Sequence, residues 1–245
     1  MLLQLGSIPT LVISSAEIAK QIFKPHDLIF SSRPSLYSAK RLSYGCNDIA
    51  FAPYGEKWRE VRKITILELL SAKRVNSFST VRCQEVNLVL ESITRTYYSG
   101  SSNCMMPINI SELMMTLANN VICRVAYGKK FEGSKGKNQE ILKETQRLLG
   151  EFNVADFYPW FGWVMNKVNG LDARLEKNFK ELDELYDEVI QEHVDGTISD
   201  EGGRDHEDLV DVLLQLQKDS NQTIALTNNQ IKGILTVCIL CMYVS

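Results

Sequence analysis

Residues 54–64 read YGEKWREVRKI and place a tryptophan and an arginine four positions apart. No helix breaker follows Gly55, so the sequence predicts a helix that starts near Tyr54 or Gly55. Four positions are about one helical turn, which puts Trp58 and Arg62 side by side on one face.

Two interpretations of this pair are open from the residues alone. The indole of Trp58 offers one N–H donor, and the guanidinium of Arg62 offers five donors in a planar fork. Together they suit a carboxylate held in an apolar setting, where charge-assisted hydrogen bonds are strong. Alternatively, Trp58 belongs to the core and Arg62 pairs on the surface with Glu60 or Glu68.

Upstream of this helix the sequence predicts a small β element. Residues 2–14 predict a β-hairpin, with the apolar runs LLQL and TLVIS around a GSIP turn. Ser14 and Glu17 predict a capping-box start for a short helix that ends at Phe23. Residues 24–50 contain prolines, a glycine and several serines, and are predicted to be irregular.

Downstream, helical periodicity dominates. Residues 72–97 predict one helix, and Asn109 with Glu112 caps the start of another that Gly128 ends. This second helix has a single apolar stripe, interpreted as core packing rather than a cofactor pocket, formed by Ile110, Leu113, Met114, Leu117, Val121, Ile122 and Val125.

The remaining pattern is also helical. Residues 138–150 and 171–194 predict helices, and the second is highly charged, with a favourable pair between Glu176 and Lys180. The acidic, glycine-rich residues 195–207 predict a mobile loop. A short helix at 208–218 and an apolar helix capped at its start by Thr227 and Gln230 follow. The fold class is therefore mainly α with a small N-terminal β-hairpin.

Composition excludes several classes of protein. The chain has 245 residues and a formal net charge of −3, so it lacks the basic surface of a nucleic-acid-binding protein. Its six cysteines are scattered and indicate no disulfide framework, and its three histidines have no metal-ligand spacing. We therefore expect no metal site built by protein ligands alone and no nucleic-acid partner.

Several ordered segments resemble one family. The stretch DIAFAPYGEKWREVRKI, residues 48–64, is similar to the start of helix C of the cytochromes P-450, the haem-thiolate monooxygenases, and specifically of the plant microsomal type. Residues 3–34, NVADFYPWFGWV with LDARLEK, and LTNNQIKGIL resemble the same family. The likeness runs from Met1 to about Leu235, which implies a partial cytochrome P-450 fold, from helices A and B to the start of helix I, forming one domain over 1–245.

The resemblance also implies a cofactor and its contacts. In this family the helix-C tryptophan and arginine bind a haem propionate, which assigns haem binding to Trp58 and Arg62. Two regions of the family border the substrate, with core packing or loop anchoring as the alternative role, and they correspond here to Ile49, Ala50, Phe51, Phe152 and Val154.

The activity implied by the resemblance is insertion of one oxygen atom into a small apolar substrate, such as a plant metabolite. The electrons come from an NADPH-dependent reductase at the cytosolic face of the endoplasmic reticulum membrane. A second class of function stays open, a non-catalytic helical protein that binds partners or a membrane surface. Its support is the charged helix at 171–194 and the aromatic segment FYPWFGW.

The likeness ends after Leu235. Residues 236–245 read TVCILCMYVS in place of the family's oxygen-activating segment, and none of the six cysteines lies in the Phe-x-x-Gly loop of the axial ligand. The expectation is a truncated and inactive chain without the axial cysteine or the membrane anchor. Residues 208–245 are then expected to expose an apolar face and to be poorly ordered.

Overall fold

The computed structural model describes residues 1–99, 107–130, 137–196, 207–218 and 226–240. Two strands, β1 (Leu2–Leu5) and β2 (Ile8–Leu11), precede a series of helices. The helices are α1 (Ala16–Phe23), α2 (Asp27–Phe30), α3 (Tyr37–Leu42), α4 (Glu56–Ile64), α5 (Ala72–Ser77), α6 (Ser79–Ser99), α7 (Ile110–Tyr127), α8 (Lys137–Gly150), α9 (Val154–Phe157), α10 (Pro159–Val168), α11 (Leu171–Asp195), α12 (Leu209–Lys218) and α13 (Asn228–Leu240). This confirms the predicted mainly α fold with an N-terminal hairpin.

The hairpin is antiparallel, with Leu5 paired to Ile8 across a two-residue turn. The turn is shorter than the predicted GSIP segment because Gly6 adopts a left-handed φ of 61°, so Ile8 already belongs to β2. The backbone N–H of Ser7 donates to the carbonyl oxygen of Phe157 at 2.8 Å. The hairpin is thereby fixed to the end of α9.

Short helices occupy part of the stretch that was predicted to be irregular. In α3, Leu42 is fully buried against Leu148, Leu171 and Leu175, so tertiary packing stabilises a six-residue helix that has little periodic signal. The capping residue of α1 is Ser15 rather than Ser14, since the Ser15 hydroxyl accepts the N–H of Ile18.

The predicted helix over 72–97 is two helices, because the backbone leaves the helical conformation at the buried Phe78 (φ −85°, ψ 15°) between α5 and α6. The caps of α7 are as predicted, with the Asn109 side chain accepting the Glu112 N–H and Gly128 in the left-handed region. The interpretation of its apolar stripe as core is wrong in part. Ile110 and Met114 are exposed, and the buried side is formed by Asn119, Cys123, Ala126 and Tyr127.

The main core lies between α7, α11, α12 and α13. Leu182, Tyr186 and Val189 of α11 are fully buried in it. The predicted mobile loop lies mostly outside the described residues, which omit 197–206. Among the helices of the described ranges, none is long and apolar enough to span a membrane.

The start of α13 is enclosed by the rest of the chain. Its capping box forms as predicted, with the N–H of Thr227 donating to the Gln230 side chain and the N–H of Gln230 to the Thr227 hydroxyl. Ile231, Ile234 and Leu235 are at most 1% exposed. The expectation that this helix start exposes a large apolar face is therefore wrong, because α7, α11 and α12 already surround it.

Candidate functional site

Helix α4 begins where the sequence predicts, after Gly55, and it ends in a π-helical turn at Thr65–Leu69. Glu56 lies in its first turn, and Arg62 with Lys63 lies in its last turn. Acidic residues near the N-terminus and basic residues near the C-terminus interact favourably with the helix dipole. The charges at both ends therefore favour the short helix that carries the predicted pair.

Trp58 and Arg62 are in contact on one face of α4. The guanidinium carbon of Arg62 lies 5.1 Å from the centroid of the Trp58 ring. The Trp58 ring is also tilted against the Tyr54 ring, with 5.6 Å between ring centroids. Trp58 is half-buried while Arg62 is exposed, so a solvent-exposed cation makes a cation–π contact with the tryptophan ring.

The two donor groups of this pair differ in their contacts with the described residues. The indole N–H of Trp58 donates to the carbonyl oxygen of Ile49 at 2.9 Å. No described residue accepts a hydrogen bond from Arg62 or forms an ion pair with it, so the surface pairs considered with Glu60 and Glu68 are not formed. The guanidinium is therefore the open donor, and the binding of a haem carboxylate by the pair stays a prediction.

The loop before α4 carries the first group of predicted pocket residues, Ile49, Ala50 and Phe51. All three are partly buried, and Ile49 packs against the main core. The buried carboxylate of Asp48 accepts the backbone N–H of Phe51 at 2.6 Å. Burial raises the pKa of Asp48, although hydrogen bonds from the loop backbone oppose that rise.

The same loop lies directly on α13. A Cβ atom at Gly233 would stand 3.3 Å from the carbonyl oxygen of Asn47, so glycine permits a close approach of helix and loop. Sequence reasoning missed both Asp48 and Gly233. Asp48 could have been found from its place directly before the apolar run of the loop. Gly233 lies far along the chain, and no sequence signal near it indicates a contact with the loop.

The second group of predicted pocket residues lies elsewhere. Phe152 is 72% exposed and stacks on Phe157, with 5.1 Å between ring centroids. Val154 is partly buried at the first position of α9. Among the described residues, no hydrogen bond or ring contact joins Phe152 or Val154 to the loop at 49–51. Their role at a substrate pocket stays a prediction.

A separate polar group joins α11 to α12. The two ring nitrogens of His193 lie 2.7 Å from the Val189 carbonyl oxygen and 2.8 Å from the Asp208 carboxylate. With Asp211 the possible ligand atoms lie within 4.8 Å of one another. Because both ring nitrogens face acceptor oxygens, a buried imidazolium paired with Asp208 accounts for the arrangement.

Two features of the chain bear on its fit to haem. A porphyrin carboxylate suits the open guanidinium of Arg62. Cys123 and Cys46 do not favour a thiolate ligand, because burial raises the pKa of Cys123 to about 12 and also raises that of Cys46. Cys83 is exposed, and the side chains of the other three cysteines lie outside the described set. The described residues thus fit one edge of a haem and not its axial bond.

Comparison with known proteins agrees with this architecture. A family model described as Cytochrome P450 matches residues 1–240. A soybean (Glycine max) protein named Cytochrome P450 71A9 is 55% identical over 96% of this chain and 46% of its own length. Strychnine-11-hydroxylase of Strychnos nux-vomica is 49% identical over 98% of this chain and 46% of its own length.

Solved structures give the same fold. A zebra fish cytochrome P450 solved with abiraterone superimposes with a TM-score of 0.67 at 20% identity, over 99% of this chain and 51% of that chain. The chain spans about half the length of the curated relatives that it matches. The match over residues 1–240 and the identity to plant relatives establish that the chain belongs to the cytochrome P450 family.

Proposed function

We propose that this chain is the haem-carboxylate-binding part of a monooxygenase that hydroxylates a small apolar plant metabolite. The observation that carries the proposal is the open guanidinium of Arg62, which lies over the Trp58 ring on α4. An arginine that lies on an aromatic face, with no hydrogen-bond or ion-pair partner among the described residues, is pre-organised to bind a carboxylate.

The residues have distinct roles in this proposal. Arg62 holds one propionate of the porphyrin by charge-assisted hydrogen bonds, and the Trp58 ring orients the guanidinium. Ile49, Ala50 and Phe51 lie next to this anchor along the chain and border the substrate, while Phe152 and Val154 line a more distant part of its path. When bound, haem supplies oxygen activation.

The reaction assigned to the whole enzyme balances as follows. A C–H bond, one O2, two electrons and two protons give a C–OH group and one water. We assign the electrons to an NADPH-dependent reductase and the location to the cytosolic face of the endoplasmic reticulum membrane. The relative named strychnine-11-hydroxylase supports hydroxylation of a plant metabolite.

Haem reconstitution tests the proposal. The purified chain is titrated with haemin, and the reduced CO difference spectrum is then recorded. We expect saturable one-to-one binding without a thiolate-type CO spectrum, since the described cysteines are held as thiols or lie on the surface. Absence of saturable binding would overturn the proposed function, and a thiolate-type spectrum would overturn the assignment of the cysteines.

A second candidate function, binding to a membrane surface, rests on a separate observation. Helix α10 exposes Trp160, Trp163 and Val168 to 75%, 52% and 78%. Lys167 lies over the Trp163 ring at 5.4 Å, so an aromatic and a basic group share this surface. Tryptophan and lysine together favour the boundary between lipid headgroups and acyl chains.

Vesicle sedimentation tests this membrane-binding candidate. Vesicles of phosphatidylcholine with phosphatidylserine should retain the wild-type chain and release a Trp160→Ser, Trp163→Ser double variant. The control Leu88→Ser removes an exposed apolar side chain from α6 instead. Equal retention of all three proteins would refute a specific membrane surface at α10.

A further inference from the structure

The substrate loop, residues 49–51, begins directly after a segment that is hydrogen-bonded to the end of α3. The Ser43 hydroxyl donates to the Ala39 carbonyl oxygen at 2.6 Å and accepts the Cys46 N–H at 3.0 Å. The N–H of Asn47 donates to the Ser43 carbonyl oxygen, also at 3.0 Å. The chain is therefore bound to α3 as far as Asn47, and the contacts of the next residues decide the course of the loop.

Asp48 supplies the acceptor around which the loop turns. Its side chain is fully buried, and its Oδ1 atom accepts the Phe51 N–H at 2.6 Å. The backbone N–H groups of Ala50 and Ala52 face the same carboxyl. Its Oδ2 atom has no hydrogen-bond partner among the described residues. Because an unpaired buried carboxyl is costly, the loop backbone is the group that compensates its burial.

Gly233 of α13 lies against the start of the loop. A Cβ atom at this position would stand 3.3 Å from the Asn47 carbonyl oxygen and 3.5 Å from the Asp48 Cβ atom. Gly233 does not have a positive φ, so its role here is to leave space rather than to permit an unusual backbone conformation. Ile234 and Leu235 beside it are at most 1% exposed. Since α13 is packed on its other sides, a side chain at 233 would displace the loop rather than the helix.

We infer that Asp48 and Gly233 are positioning residues that together set the turn of the substrate loop and its distance from α13. Asp48 sets the turn, because its carboxyl accepts the Phe51 N–H. Gly233 sets the distance, because the absence of a side chain lets the Asn47 carbonyl lie against the helix. The two contacts thereby decide where the loop presents its apolar side chains. That these side chains face a substrate rests on the proposed function, whereas the two contacts do not depend on it.

Amide exchange at Phe51, compared with that at Val189 in the core, tests the role of Asp48. Asp48→Ala removes the acceptor, and we expect Phe51 exchange to accelerate roughly two- to tenfold more than Val189 exchange, as for the loss of one hydrogen bond. Asp48→Asn keeps an acceptor oxygen, so Phe51 exchange should stay within about twofold of wild type. The control Asp27→Ala removes an exposed aspartate from α2. An acceleration no larger at Phe51 than at Val189, or equal acceleration in both Asp48 variants, would overturn the role of Asp48.

Gly233→Ala tests the second contact. The amide chemical shifts of residues 47–51 should change, and Asn47 exchange should accelerate roughly two- to tenfold as its hydrogen bond to Ser43 is weakened. The amides of α13 should keep their protection, because alanine favours a helix more than glycine does. The control Gly150→Ala adds a Cβ atom with no other atom within 4 Å. Shifts at 47–51 that match those of wild type would overturn the role of Gly233.

Failure of these tests can be distinguished from failure of the proposed function. If the wild-type chain does not bind haemin, the proposed function falls, and exchange at Phe51 and Asn47 still decides whether the two residues position the loop. If haemin binds and neither Asp48→Ala nor Gly233→Ala changes the loop, the positioning roles fall and the proposed function stands.

Discussion

Replacing Glu85 by glutamine is expected to weaken the packing of α6 against α7. The Glu85 side chain is 1% exposed, and its Oε1 atom lies 2.8 Å from both the Arg124 guanidinium and the Lys130 ammonium. Gln84 also accepts from Arg124 at 2.6 Å. A neutral amide at position 85 therefore leaves two cations close together around an uncharged oxygen.

The magnitude follows from the burial of the three side chains. Removing one partner from a buried ion pair destabilises a fold by about 3–5 kcal/mol. Arg124 and Lys130 keep 18% and 20% of their side-chain surface exposed, so water can recover part of this loss. Glutamine also retains one acceptor oxygen. We therefore expect the free energy of unfolding to fall by about 2–3 kcal/mol.

Urea unfolding followed by circular dichroism measures this change, with Glu91→Gln on the exposed side of α6 as the matched control. Burial raises the pKa of Glu85, but hydrogen bonds from Lys130 and Arg124 outweigh burial and hold the pKa below its usual value. The stabilisation is therefore present above the unfolded-state pKa of about 4.3 and is lost as pH falls through the lower folded-state pKa. A change below about 0.5 kcal/mol at neutral pH, equal to that of the control, would refute this reasoning.

Two further substitutions test other contacts. His193→Gln should lower the free energy of unfolding by about 1–2 kcal/mol below about pH 6.5 and by less at higher pH. Burial lowers the pKa of His193, but the contact with Asp208 outweighs burial, so the pKa is raised overall. The protonated ring therefore stabilises the fold at low pH, and this stabilisation is lost as the ring deprotonates at higher pH. Urea midpoints at about pH 5.5 and about pH 8.5 measure this, and a pH-independent difference would contradict the ion pair. Gly162→Ala should destabilise the chain by about 3 kcal/mol in the same assay, since the added Cβ would lie 2.1 Å from the Ala155 Cα atom. Gly150→Ala, which adds a Cβ with no atom within 4 Å, is the control, and equal effects would contradict close packing of α9 and α10.

The capping signals of α7 predicted both of its ends, whereas the buried face of the helix could not be predicted from them. Asn109 and Gly128 bound α7 as expected because each acts on the backbone within a few residues. The choice of the buried face depends on which helices lie beside α7, and the structure buries Asn119 while Met114 remains exposed. A periodic apolar pattern predicts a helix, and tertiary neighbours decide which of its sides becomes core.

The partners of charged side chains also depend on tertiary neighbours that the local sequence does not identify. Glu176 and Lys180 are correctly spaced for a pair within α11, but Arg41 of α3 reaches Glu176 with two hydrogen bonds of 2.7 Å. Arg41 also lies over the Phe179 ring at 3.6 Å, so its guanidinium is held in place by packing. A bidentate contact from a neighbouring helix prevails over a flexible local pair.

In the candidate site, too, the local contact could be predicted and the long-range contact could not. Helical spacing alone predicted that Trp58 and Arg62 would be neighbours, and the structure places them in contact. The partner of the indole could not be predicted, because the Ile49 carbonyl becomes its acceptor only when the intervening loop folds back onto α4. Backbone carbonyls carry no residue-specific signal in a sequence.

The central claim is that Arg62 binds a carboxylate of haem. The direct measurement compares the affinity of wild type, Arg62→Gln and the control Arg59→Gln for haemin and for haemin dimethyl ester, whose propionates are uncharged. Arg59 also lies on α4 over an aromatic ring, at 5.7 Å from that of Tyr54. We predict that wild type and Arg59→Gln prefer haemin over the ester by roughly tenfold and that Arg62→Gln loses this preference. An undiminished preference in Arg62→Gln would contradict the claim.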